Sequence, residues 1–213
     1  MRLFHVLVAA FAVVQALRYA RRAFLFLVPR VGVDGDAGAP PRSAARLRVA
    51  AQLEELGFVA LGIQRERAPL GAHRAEADVY ADPSRGSFAD VAQRGAEPQV
   101  TFVSPFPDGA FVVTADHRRP SASGPMLQAG GLPGASLEAL LAAHEVAVER
   151  FAARHGTPAV ATRLEARLAA ARGWWAGFGR WELRRAHAPA MAVVAFAIVL
   201  LASSVSILLR GVK

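Results

Sequence analysis

The chain has 213 residues, 54% of them hydrophobic and none of them cysteine, which excludes disulfides, thiolate metal sites and cysteine nucleophiles. Its single lysine is Lys213, so Schiff-base chemistry and the phosphate-positioning lysine of P-loop and kinase sites are excluded too. The net charge of +8 is unevenly placed: residues 1–30 hold five Arg and no acid, residues 31–157 hold 12 Arg against 15 acids, and residues 158–213 hold seven Arg and Lys213 against Glu165 and Glu182.

A nucleic-acid-binding domain carries its basic patch on the folded body. Here the middle is mildly acidic and the positive charge lies beside two apolar ends, so no nucleic-acid partner is expected; the pattern is that of charges flanking a bilayer. Residues 1–28 read as an N-terminal membrane anchor helix. Residues 3–17 carry no Asp, Glu, Lys or Arg; Arg18, Arg21 and Arg22 follow, then a second apolar run over residues 23–28. Fifteen residues are short for a span unless the arginines snorkel to the headgroups. An interfacial helix and a signal peptide cut after Val14-Gln15-Ala16 stand as alternatives.

Residues 29–42, rich in Gly, Pro and Asp, are expected to be a linker. Residues 43–157 then read as a cytoplasmic α+β domain. Ser43 caps a helix to Leu56, with Leu47, Ala50, Ala51 and Leu53 inward and Arg46, Arg48, Gln52 and Glu55 outward; Gly57 supplies the left-handed terminator. Strands are expected over 58–64, 77–81, 87–92, 100–104 and 110–115, separated by short turns. They make a small antiparallel β-meander sheet of about five strands flanked by helices. Pro107-Asp108-Gly109 marks a hairpin turn between the last two. Residues 118–135 read as a long loop. Ser136 caps a second helix over 137–154, with Leu137, Leu141, His144, Val148 and Phe151 on its apolar stripe. Both helices are expected on one face of the sheet, which leaves the other for a groove, a partner or the membrane surface.

Thr157-Pro158 is expected to start a further helix, because proline at the first helical position loses no hydrogen bond. Residues 158–188 thus form an amphipathic juxtamembrane helix in which Trp174, Trp175 and Trp181 are followed by Arg184 and Arg185, an interfacial belt. Residues 189–209 contain no charge and at about 1.5 Å per residue span roughly 31 Å, the thickness of a hydrocarbon core. They read as a C-terminal transmembrane helix, with 210–213 as a tail. Arg18, Arg21 and Arg22 after the first segment and Arg184 and Arg185 before the second both place the central domain in the cytoplasm, at the cell (inner) membrane.

The chemistry-bearing residues are sparse. Asp116 and His117 end the last strand, and His144-Glu145 lies on the second helix. These four are the catalytic candidates. His144-Glu145 resembles the start of a zinc-binding H-E-x-x-H helix, but Val148 occupies the second histidine's place. Ser104, His117 or His144, and Asp108 make a loose Ser–His–Asp set without the G-x-S-x-G elbow. Gly130-Gly131-Leu132-Pro133-Gly134 follows no phosphate-binding strand pattern. Neither a metal nor a cofactor is called for. The expectation is a membrane-anchored module whose cytoplasmic domain binds a protein partner or a small ligand. The alternative is a membrane-bound hydrolase or transferase using Asp116, His117, and His144 or Glu145.

Overall fold

The computed structural model describes residues 2–38, 43–71, 73–95 and 97–210. Residues 39–42 of the expected linker, Ala96 of an expected turn and residues 211–213 of the tail lie outside the described residues. The chain divides into two compact units, one of Val33–Glu66 and Ala75–Gly173, the other of Met1–Gly32, Arg67–Arg74 and Trp174–Lys213.

The first unit is built on a mostly antiparallel open sheet of eight strands in the order β1-β2-β3-β4-β5-β6-β8-β7. The strands are β1 (Gly32–Asp36), β2 (Val59–Arg67), β3 (Arg74–Asp82), β4 (Ser87–Arg94), β5 (Glu97–Pro105), β6 (Phe111–Ala115), β7 (Ala122–Ser123) and β8 (Leu127–Gly131). The five expected strands are present at the centre of the order. The expected linker instead contributes edge strand β1, and the expected loop 118–135 contributes β7 and β8. β5 and β6 pair antiparallel with Ser104 opposite Val112, and Gly109 takes φ 86° at the turn, as proline-aspartate-glycine requires. β8 departs from the meander by pairing parallel to β6. A Cβ on Gly131 would stand 2.1 Å from the His117 carbonyl oxygen, so only glycine lets β8 pass the returning chain.

Helix α2 (Ala44–Glu55) begins where Ser43 accepts a hydrogen bond from the Arg46 amide and ends before Gly57 at φ 92°. Helix α3 (Leu137–His155) begins where Ser136 accepts from the Ala139 amide. Both caps satisfy an N–H that the first helical turn leaves open. Ala50 and Leu53 of α2 and Leu140 and Leu141 of α3 join Tyr80, Ala89, Val91, Val100 and Phe102 in one core on one sheet face. Burying each of the large side chains contributes roughly 1.5–3 kcal/mol. The inward set on α2 differs at three positions: Leu47, at 52%, and Ala51 are exposed, whereas Arg46 is buried with its guanidinium on Asp78 at 2.6 and 3.1 Å.

The opposite face of the sheet is also covered, against expectation. Phe88 and Asp90 alternate with Ala89 and Val91 and so face away from the first core. Helix α4 (Leu164–Ala176) lies there: Arg167 forms an ion pair with Asp90 and stands 5.8 Å over the Phe88 ring, and a Cβ on Gly173 would meet the Phe111 ring at 3.8 Å. The expected helix start at Pro158 is displaced to Leu164. Pro158 packs beside Gly86, and the Ala159 amide donates to the Pro105 carbonyl at 2.7 Å, which holds this stretch extended along the body.

The second unit contains α1 (Arg2–Leu27) and α5 (Phe178–Arg210), both long and apolar enough to cross a membrane. The single juxtamembrane helix expected over 158–188 is broken between α4 and α5, and Pro189 lies inside α5 rather than at its start. Phe11 and Ala12 line a groove with Phe196, Ala197 and Leu200, while Leu25 packs against Leu183. Rising numbers on α1 therefore meet falling numbers on α5, and the two helices are antiparallel. Ala12 is buried on α1, and Ala190, Ala197 and Ser204 recur every seven residues on α5 as its buried seam. Small residues at that spacing let two helix backbones approach closely in an apolar medium.

Candidate functional site

Among the catalytic candidates, His144 is the most enclosed, with no exposed surface. The helix stripe turns its ring between α3 and the sheet, where it lies 5.6 Å from the Phe102 ring. Nε2 is 2.9 Å from Ser104 Oγ and Nδ1 is 2.9 Å from Thr114 Oγ1. Ser104 Oγ donates its only proton to the Gly86 carbonyl at 2.6 Å. By that proton count His144 Nε2–H donates to Ser104, and Nδ1 accepts from Thr114. Burial pushes the His144 pKa down to about 3, so the ring is neutral and fully bonded. The Ser–His contact thus runs opposite to what an activated serine needs: the imidazole gives the serine a proton rather than taking one.

The other candidates do not meet it. Asp116 accepts the Val100 amide at 2.8 Å and lies 3.1 Å from His117 Nδ1, which ties both to β5. Glu145 lies 2.8 Å from Arg85, whose guanidinium also holds the Asp82 carboxylate and donates to the Leu56 carbonyl at 2.7 Å. Burial works to raise the Asp82 pKa, but hydrogen bonds from Ser84 and Arg85 outweigh it and hold the carboxyl below its ordinary range. Asp108, the loose third member of the serine set, is bonded to His155 Nδ1 at 2.6 Å instead of to His144. That hydrogen bond, foremost, lowers the Asp108 pKa. Each carboxylate is thereby engaged in joining two elements, and Asp116, His117, His144 and Glu145 form three separate sets. Among the described residues, no group of three His, Asp or Glu side chains is placed to hold a metal ion.

The remaining feature is the surface of the second unit. Leu3, Phe4, Leu7, Phe11, Val14 and Leu17 of α1 are exposed, as are Phe196, Ile198, Val199, Ile207 and Leu209 of α5. Between the helices lies a groove of 430 Å³ lined by Phe11, Ala12, Gln15, Ala192, Val193, Phe196, Ala197 and Leu200. Because the helices are antiparallel, Arg18, Arg21 and Arg22 fall at the same end of the pair as Arg184 and Arg185. Trp181 lies under the Arg185 guanidinium at 5.3 Å, and Trp175 packs beside His73 at 5.6 Å. Trp174 lies in the last turn of α4, before the break at Gly177.

Sequence reasoning passed over one part of this unit, the tip of the β2–β3 hairpin. Ala68 is buried against Leu25 and Leu183, while Leu70 at φ 59° is 62% exposed. The available signal was Pro69-Leu70-Gly71 between Arg67 and Arg74, a turn with an apolar residue at its crest. No protein-family model, curated protein or solved structure matches the chain.

Proposed function

We propose that this protein is a module anchored in the cell (inner) membrane by α1 and α5, whose α+β body stands in the cytoplasm and binds a protein partner or a small ligand. The observation that carries the reading is the long apolar exterior of the α1–α5 pair. That much contiguous apolar surface is stable in lipid and costly in water. The charge distribution supports the orientation. The unit containing α1 and α5 holds 12 basic residues and one acid, Glu182; the unit containing most of the sheet holds 13 arginines and 16 acids. Gathering Arg18, Arg21, Arg22, Arg184 and Arg185 at one end of the helix pair is what a cytoplasmic body requires.

The binding role rests on the body's polar groups being spent on joining elements. With both sheet faces covered, a partner meets the outer sides of α2 and α3 or the edge strand β1. A reporter active only in the cytoplasm, inserted at the exposed Gly95 turn, is expected to work. A reporter active only outside is expected to work when joined after Arg210. The opposite pair of results overturns the orientation, and release of the whole chain by alkaline carbonate overturns the anchoring.

A further inference from the structure

The β2–β3 hairpin belongs mostly to the body, yet residues Arg67–Arg74 pack in the same compact unit as the two apolar helices. Its seat there is built: Ala68 is buried against Leu25 and Leu183, and His73 lies edge-on to Trp175. The tip beyond that seat is basic and apolar. Arg67, Pro69, Leu70, Gly71 and Arg74 are all exposed, and residues 67–74 contain no acid.

Leu70 stands at φ 59°, where a side chain costs about 1–2 kcal/mol and glycine or asparagine is the ordinary choice. A leucine held outward there presents apolar surface where a plain water-facing turn has no use for it. The height of the seat follows from the helices. Leu25 lies eight residues past Leu17, and Leu183 three residues before Ala186, where the second uncharged stretch begins, roughly 5–12 Å beyond the uncharged stretches. The headgroup layer extends about 5–8 Å beyond the hydrocarbon. Leu70, two residues from Ala68, has a reach of about 7 Å to close that difference.

From this geometry and charge we infer that the Pro69-Leu70-Gly71 tip, flanked by Arg67 and Arg74, is a third membrane contact that seats on anionic phospholipid headgroups. The inference rests on the membrane-anchored reading. Its chemistry is that of basic residues meeting the negative cytoplasmic leaflet, with one apolar side chain placed at the headgroup–acyl boundary. It adds the β2–β3 tip to the arginines of α1 and α5 as a contact with anionic lipid.

The absence of native cysteine allows a direct test on the full chain. Leu70→Cys, carrying an environment-sensitive dye, is reconstituted in nanodiscs of phosphatidylcholine alone or with phosphatidylglycerol, each with a nitroxide quencher at headgroup level. Phe11→Cys with a deep acyl-chain quencher reports on the anchor. The expected result is quenching and a blue shift at position 70 in the anionic discs, weak in the neutral ones. Arg67→Gln and Arg74→Gln should each lower the ratio of seated to free tip about fivefold. No quenching at position 70 while position 11 is quenched overturns the inference and leaves the anchor standing. Equal quenching in both lipids overturns the assignment to anionic headgroups. An unquenched position 11 overturns the anchored reading, and this inference with it.

Discussion

His144 shows how one buried side chain sets a pH dependence without any catalytic duty. Its two ring nitrogens are matched to Ser104 and Thr114. His144→Leu leaves the Thr114 hydroxyl without that partner, at a cost of about 1–3 kcal/mol. Adding Thr114→Val should return part of that loss, so the double-mutant cycle should show coupling; two purely additive losses in denaturant melts would refute the pairing. The linkage sign is fixed by the folded pKa of about 3 against the ordinary 6.5. Between those values the unfolded chain binds the extra proton, so His144 contributes stability above pH 6.5 that is lost as pH falls toward 3. Wild type should therefore lose about 2 kcal/mol from this group between pH 7 and pH 5. His144→Leu should flatten that part of the stability–pH curve, measured by denaturant unfolding in detergent at the two pH values. The burial of His144 was legible from its place between Leu141 and Val148. Its hydrogen-bond partners were not, because Ser104 and Thr114 come from strands 40 and 30 residues away in sequence.

At the level of elements, what the sequence made readable was local. The caps at Ser43 and Ser136, the terminator Gly57 and the Asp108-Gly109 turn act within a few residues of themselves, and each element begins or ends where they stand. The misread elements depend on distant partners. β1 is Gly-Val-Asp-Gly-Asp, poor in strand formers, and is a strand because it has β2 beside it. Short, charged and glycine-bearing, it also makes a poor template for unwanted pairing. Arg46 and Leu47 exchanged their expected roles because a hydrophobic stripe carries no information about Asp78, which is fully buried across the interface. Breaking that pair from one side leaves a charge buried and unmatched, so Arg46→Ala should cost about 3–5 kcal/mol. Arg46→Met combined with Asp78→Leu should recover most of it. A denaturant midpoint for Arg46→Ala equal to that of wild type would show the ion pair to be unimportant for α2.

For the molecule as a whole, the candidate site was legible only as a charge distribution. The arginine clusters could be counted from the sequence, but the addition of the β2–β3 tip to the basic unit depends on a packing contact at Ala68. The same packing bears on the N-terminal segment. α1 is one helix from Arg2 to Leu27, continuous through the site at which a signal peptide would be cut, and Ala12 is buried in its seam with α5. Intact-mass measurement of the membrane-extracted protein should therefore find residues 1–16 retained. A mature chain beginning near Leu17 would remove Ala12 from the seam and refute the anchor role of α1.

The antiparallel seam joins two helices with the whole sheet between them in the chain, so the body is held at both of its ends. Trypsin can cut after Arg118, which is exposed between β6 and β7, whereas the Arg119–Pro120 bond resists it. One such cut yields two fragments that each keep one apolar helix, and the alanine–serine seam continues to join them. They should co-elute in mild detergent, even with enough urea to unfold the body, and separate in dodecyl sulfate. Co-elution would mark the protein as a split pair, able to survive a broken backbone as a two-chain complex.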